Sequence, residues 1–156
     1  MRNKLVMIMV MVAALALAGC TGDSTIDGNT IADTDGEDAA DGTITIEENP
    51  EKVQVYYFWG EGCPFCTQQS EFFEGIDDEI MENVQLLDFE TYRIQENSIF
   101  YQELASAHGE TARGVPMTFI GNQVWSGFNE HMGNEMIDKI KECIEEGCES
   151  PSKKLE

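Results

Sequence analysis

"VQVYYFWGEGCPFCTQQ", Val53 to Gln69, carries the reading of this chain. Its first seven residues are a continuous β-branched and aromatic run, the pattern of a strand buried on both faces. Two cysteines follow, Cys63 and Cys66, with Pro64 and Phe65 between them. If Cys63 stands where that strand gives way to a helix, Pro64 takes the first helical position, where its missing N–H costs nothing. Cys63 is then the N-cap, and its sulfur faces free backbone N–H groups and the positive end of the helix dipole. That setting favours thiolate over thiol, and thiolate is the attacking species. Cys66 lies one turn deeper, within disulfide reach. Such a pair can clamp a metal, staple a loop or carry electrons reversibly, and the rest of the chain narrows the choice.

Beyond the pair, Phe72, Ile76 and Ile80 recur at i, i+4 and i+8, so a helix is expected, kinked or split at Gly75. "VQLLDF" (Val84–Phe89) reads as a second buried strand, and "QENSIFYQELASAH" sets Phe100, Leu104 and Ala107 on one helical face. "MTFIGNQVW" is two short strands joined by Gly121-Asn122, a two-residue hairpin signal. Met132, Met136, Ile140, Cys143 and Ile144 stripe a last helix capped by Asn129. The order βαβα then ββα predicts an α/β domain with a mixed central sheet of four strands and helices on both faces. A fifth, edge strand would come from the alternation in "TITIEE", Thr43 to Glu48.

Towards the N-terminus the character changes. Arg2 and Lys4 precede the apolar run Leu5–Ala18, which is shorter than a spanning helix needs and fits a secretory leader over residues 1–19. It ends in "LAGC", which resembles the lipobox of prokaryotic lipoproteins. That resemblance implies cleavage before Cys20 and lipidation of its sulfur, leaving the chain outside the cytoplasm on the outer face of the cell membrane. Residues 20–49 are rich in Asp, Gly and Thr and read as an acidic disordered tether. The folded domain is expected over 50–148 and a C-terminal tail over 149–156. The net charge is −21, and every acidic residue follows Cys20. Such a surface repels nucleic acid, which is excluded as a partner. In an exported chain the four remaining cysteines can form two disulfide-bonded pairs.

The aromatic strand, "WGEGCPFC", and the later "RGVPMTFIGNQVWSGF" (Arg113–Phe128) together resemble the thioredoxin superfamily. The resemblance covers Val53 to Glu146 and implies a thioredoxin-like fold. It implies that Cys63 is the nucleophile and Cys66 the resolving thiol. It makes Pro116 a cis-proline beside the pair, and Val115 the residue offering backbone hydrogen bonds to an extended substrate, with Trp59, Pro64 and Phe65 completing the substrate-facing surface. Tyr57 falls where thioredoxins usually keep a buried aspartate, so proton transfer would pass to Tyr57 or Glu61. Pro-Phe is similar to the Pro-Tyr of glutaredoxins, yet basic residues to hold glutathione's carboxylates are scarce. Phe65 adds no positive charge and the surroundings are acidic, which favours a reductase or isomerase over an oxidase.

Cys143 and Cys148, in "CIEEGC", read as a structural disulfide at a helix end. No metal is expected at the site: zinc needs four ligands, and His108 and His131 have no spacing that joins them to the cysteines. The activity implied is thiol–disulfide oxidoreduction on protein substrates. It needs no cofactor but does need an integral-membrane thiol protein as electron donor. The rival expectation is a Cu(I)-binding or non-catalytic peptide-binding module on the same fold.

Overall fold

Four strands and four α-helices follow one another in the computed structural model, which describes residues 44–156. They are β1 (Val53–Trp59), α1 (Pro64–Glu74), α2 (Asp78–Met81), β2 (Val84–Glu90), α3 (Gln95–Ala107), β3 (Met117–Ile120), β4 (Gln123–Ser126) and α4 (Glu130–Glu146), and a 3-10 helix closes the chain at Pro151–Leu155. The leader, Cys20 and the tether up to residue 43 lie outside the described residues.

The sheet order is β2-β1-β3-β4. β1 pairs parallel with β2, Val55 opposite Leu86, and antiparallel with β3, Phe58 opposite Met117. A strand flanked on both sides and covered on both faces must be apolar throughout, and residues 54–58 are all buried. Because side chains alternate along a strand, β1 splits its residues between two cores. Val55 and Tyr57 meet Cys66 and Phe73 of α1 and Met136, Ile140 and Cys143 of α4. Tyr56 and Phe58 meet Phe100, Tyr101 and Leu104 of α3. Phe58 stacks on Phe89 at 5.0 Å and meets Phe119 edge-on at 5.6 Å, geometries aromatic quadrupoles favour.

Several expectations need correcting. β2 is an edge strand rather than a second buried one: only Val84 and Phe89 are buried, and Asp88 is exposed. The split expected at Gly75 is present, with Ile80 falling in the separate helix α2. Helix α1 stops at Gly75, whose N–H bonds back to Glu71 and Phe72. Its buried side chains are Cys66, Gln69 and Phe73, and Ile76 is buried in the connection. In α3 the covered stripe is Phe100, Tyr101, Leu104 and Ala105, one step round from Ala107. The hairpin has its two-residue turn, with Gly121 at φ 56°. Asn129 caps α4 by accepting the Met132 N–H. Met136, Ile140 and Cys143 are buried beneath that helix, while Ile144 faces solvent.

The ends depart most. Residues 44–49 form no strand, so the sheet keeps four. Yet they are not tether: Ile44 and Ile46 pack on the α3-side core. The Glu48 carboxylate accepts hydroxyl hydrogen bonds from Tyr56, from Ser150 at 2.6 Å and from Ser152 at 2.6 Å. Nor is 149–156 a loose tail. Pro151 is buried, and its carbonyl lies 3.0 Å from His108 Nε2. One carboxylate thus fastens both ends to the hydroxyl of the central strand, and the folded unit extends beyond 50–148 on either side.

Candidate redox site

Gly60, Glu61 and Gly62 make the turn out of β1, with Gly62 at φ 78°, a left-handed conformation that glycine tolerates. Cys63 follows as the N-cap of α1 in extended backbone, and Pro64 takes the first helical position. The Cys66 N–H donates to Cys63 Sγ at 3.2 Å. That sulfur therefore meets one of the N–H groups that a helix start leaves unpaired, where negative charge is favoured. Cys63 and Cys66 are joined as a disulfide with Cα atoms 5.3 Å apart. Both are buried, Cys66 at 3% exposure and Cys63 at 8%.

Across from α1 runs the segment into β3. The Val115–Pro116 peptide is cis, and the Val115 carbonyl oxygen lies 3.6 Å from Cys63 Sγ. Pro116 is buried and its carbonyl accepts the Gly127 N–H at 2.8 Å, while Val115 is half-buried. Phe65 is 57% exposed beside the pair. Cys63, Cys66, Val115, Pro116, Pro64 and Phe65 therefore share one end of the sheet. A sulfur that can leave a disulfide as a thiolate at a helix start, with a second sulfur one turn inward, can undergo thiol–disulfide exchange.

Three further expected residues stand around the pair with partners of their own. Tyr57 lies beneath Cys66, but its hydroxyl donates to the Cys66 carbonyl at 2.8 Å and sits 3.3 Å from Ser70 Oγ. Burial pushes its pKa up, and the Asp88 charge adds to this against the Ser70 hydrogen bond, while the hydroxyl braces the Cys66 carbonyl. Glu61 points outward to Arg93 at 2.5 Å, both side chains exposed. Trp59 donates its indole N–H to Asp88 at 3.1 Å, walls a cavity on the β2 side of β1, and packs, as Val115 does, against the core that holds Cys63 and Cys66.

Sequence reading missed what shapes the turn. The Glu90 carboxylate accepts N–H groups from Glu61, Tyr92 and Arg93. Against desolvation, which raises it, those bonds hold its pKa below the ordinary carboxylate range. Tyr92 lies over Gly60 so closely that a Cβ there would fall 2.5 Å from the ring. Gly60 is the one local signal, since a glycine beside a functional turn marks a close approach.

The second pair, Cys143 and Cys148, is also a disulfide, at the far end of the sheet. Cys143 is buried under α4 at 3% exposure, and Cys148 packs against the hairpin turn at Gly121. Its place at a helix C-terminus opposes thiolate formation. His108 is half-buried against Phe119, with burial lowering its pKa, and His131 is exposed beside Glu135.

No protein-family model matches the sequence, and no curated protein matches it. Solved structures with a similar course include a glutaredoxin from Archaeoglobus fulgidus, 23% identical, covering 55% of this chain and 86% of its own at a TM-score of 0.41. Glutaredoxin 1 from Francisella tularensis, solved with cacodylate, is 25% identical over 58% of this chain and 98% of its own, with a TM-score of 0.40. A buckwheat glutaredoxin in complex with glutathione is 19% identical over 57% of this chain and 77% of its own, with a TM-score of 0.40. The mixed β2-β1-β3-β4 sheet, the helices on its two faces and the Cys63–Cys66 pair leaving β1 opposite the Val115–Pro116 loop make residues 44–156 a thioredoxin-like domain.

Proposed function

We propose that this chain is an extracytoplasmic thiol–disulfide oxidoreductase for protein substrates, held at the outer face of the cell membrane by a lipid on Cys20. In the reducing direction the Cys63 thiolate attacks a substrate disulfide, forming a mixed disulfide and releasing one substrate thiolate. Cys66, deprotonated, then attacks the Cys63 sulfur and releases the second. The substrate gains two electrons and two protons, and the Cys63–Cys66 disulfide is left behind. Val115 and Pro116, with Pro64 and Phe65, form the surface on which an extended substrate segment lies. Re-reduction falls to an integral-membrane thiol protein.

The observation that carries this reading is the position of Cys63 Sγ. It accepts an N–H at the start of α1 and has the Val115 carbonyl 3.6 Å away on the opposing loop. Reductase or isomerase activity is favoured over oxidation because Phe65 brings no cation to the pair and the Arg93 charge is spent on Glu61. The test is a Cys66→Ser chain expressed at its native membrane. Mixed disulfides are expected on Cys63, visible as adducts that collapse with reductant and vanish in Cys63→Ser. Should no adduct form, and the purified unsubstituted chain take up one Cu(I) on Cys63 and Cys66 without reducing insulin, the copper-carrying reading replaces the enzyme.

A further inference from the structure

A cavity of about 360 Å³ opens between α1, α2 and the edge strand β2. Its origin is architectural: α1 stops at Gly75, and the single turn of α2 leaves part of the sheet face uncovered. The size lies within the range of small-molecule sites, roughly 300–1,000 Å³. Its walls are the rings of Tyr57, Trp59 and Phe73, and the Tyr57 and Phe73 rings meet edge-on at 5.4 Å. At the rim stand two carboxylates, Asp88 and Glu74, and no lining residue is Lys or Arg. Neither carboxylate has an ion-pair partner among the described residues. Asp88 is held in place because it accepts the Trp59 indole N–H at 3.1 Å.

Aromatic faces and carboxylates share one preference. A ring face carries the negative lobe of its quadrupole, and a cation with an apolar body satisfies both ring face and carboxylate. A neutral apolar ligand would leave the carboxylates unused, and an anion would be repelled by both. We propose that this cavity binds a small organic cation, an ammonium group on an apolar body, with its charge between Asp88 and Glu74 and its body against Tyr57, Trp59 and Phe73. The site is separate from the sulfurs. Its floor nevertheless includes Tyr57, whose hydroxyl braces the Cys66 carbonyl, so an occupant touches the residue supporting the redox helix.

The test is a titration of the full chain carrying Trp125→Phe, so that Trp59 alone reports by fluorescence. The probes are 2-phenylethylammonium, the neutral isostere 2-phenylethanol and the anionic 3-phenylpropionate. High salt screens the general attraction of a chain of net charge −21 for any cation. The ammonium is expected to saturate at least roughly tenfold more tightly than the alcohol, with no binding of the anion. Asp88→Asn keeps the acceptor for the indole and removes only the charge. It should weaken the ammonium roughly fivefold and leave the alcohol unchanged. Shifts of the Met81 and Leu86 methyl resonances on the unsubstituted chain give a second readout that needs no tryptophan replacement. Equal affinity for ammonium and alcohol, an unaltered ammonium affinity in Asp88→Asn, or methyl groups that do not respond would each overturn the proposal.

Discussion

Replacing Glu48 by alanine should loosen both ends of the domain at once. The carboxylate receives three hydroxyl hydrogen bonds, from Tyr56, Ser150 and Ser152. The two serines lie where water can replace the acceptor, so each is expected to contribute only a few tenths of a kcal/mol. Tyr56 has no accessible surface, so its O–H loses a charged partner with no solvent to replace it, at roughly 1–3 kcal/mol. The sum is about 2 kcal/mol, or close to 8 °C in Tm for a domain of this size. Urea unfolding followed by tryptophan fluorescence measures it. A cycle with Tyr56→Phe isolates the pair: each single change should be costly and the double change hardly more so, a coupling of about 1 kcal/mol or above. Burial alone would raise the Glu48 pKa, but the bonds from Ser150, Ser152 and Tyr56 and the Lys153 charge outweigh it and lower the pKa from the usual 4.5. The carboxylate's contribution is therefore complete above that value and is lost as pH falls through the depressed folded one. Tyr56 moves the opposite way: burial and Glu48 push it up to about 12 from 10.0, so stability should fall as pH rises across that interval. Additive losses in the cycle, together with an acid limb unchanged in Glu48→Gln, would refute the fastening role.

The buried pair Gln69 and Thr118 tests the asymmetry of hydrogen bonding. Gln69 Nε2 donates to Thr118 Oγ1 at 2.6 Å with both residues at 0% exposure, and Gln69 Oε1 has no partner. Thr118→Val alone should cost about 1–3 kcal/mol by leaving the amide N–H only the weak Met136 sulfur acceptor at 3.6 Å, whereas adding Gln69→Leu should recover most of it; equal or larger loss in the double variant contradicts this. Replacing Cys143 and Cys148 together by serine removes a short closed loop and should cost about 2 kcal/mol in urea unfolding. The same variant should reduce insulin at the unsubstituted rate, and a fall in that rate with stability unchanged would make the second pair a redox relay.

What the sequence discloses divides along the range of the interaction. The Cys63 cap, Pro64 at the first helical turn, the Gly121 hairpin and the Asn129 cap each depend on residues within four positions, so their chemistry is written where it acts. Val115–Pro116 is reached only through family resemblance, because no local rule brings that segment across to a sulfur 52 residues earlier. Charged partners are the least legible. Glu48 looks like one more acid in an acidic stretch until the fold carries Ser150, 102 residues later, to its oxygen. Glu61 looks like a lone acid next to the pair until the fold brings Arg93 to it. β2 misleads for a related reason. Its apolar run reads as fully buried, yet it is an edge strand whose Leu86 and Leu87 are only half-covered, by one-turn α2 on one face and Ile44 and Ile46 on the other. The same short cover leaves Asp88 exposed and the aromatic cavity open beside the brace of the redox helix. A longer α2 would have buried that edge and closed the cavity, so the feature hardest to read from the sequence is also the one that gives this domain a second place to bind.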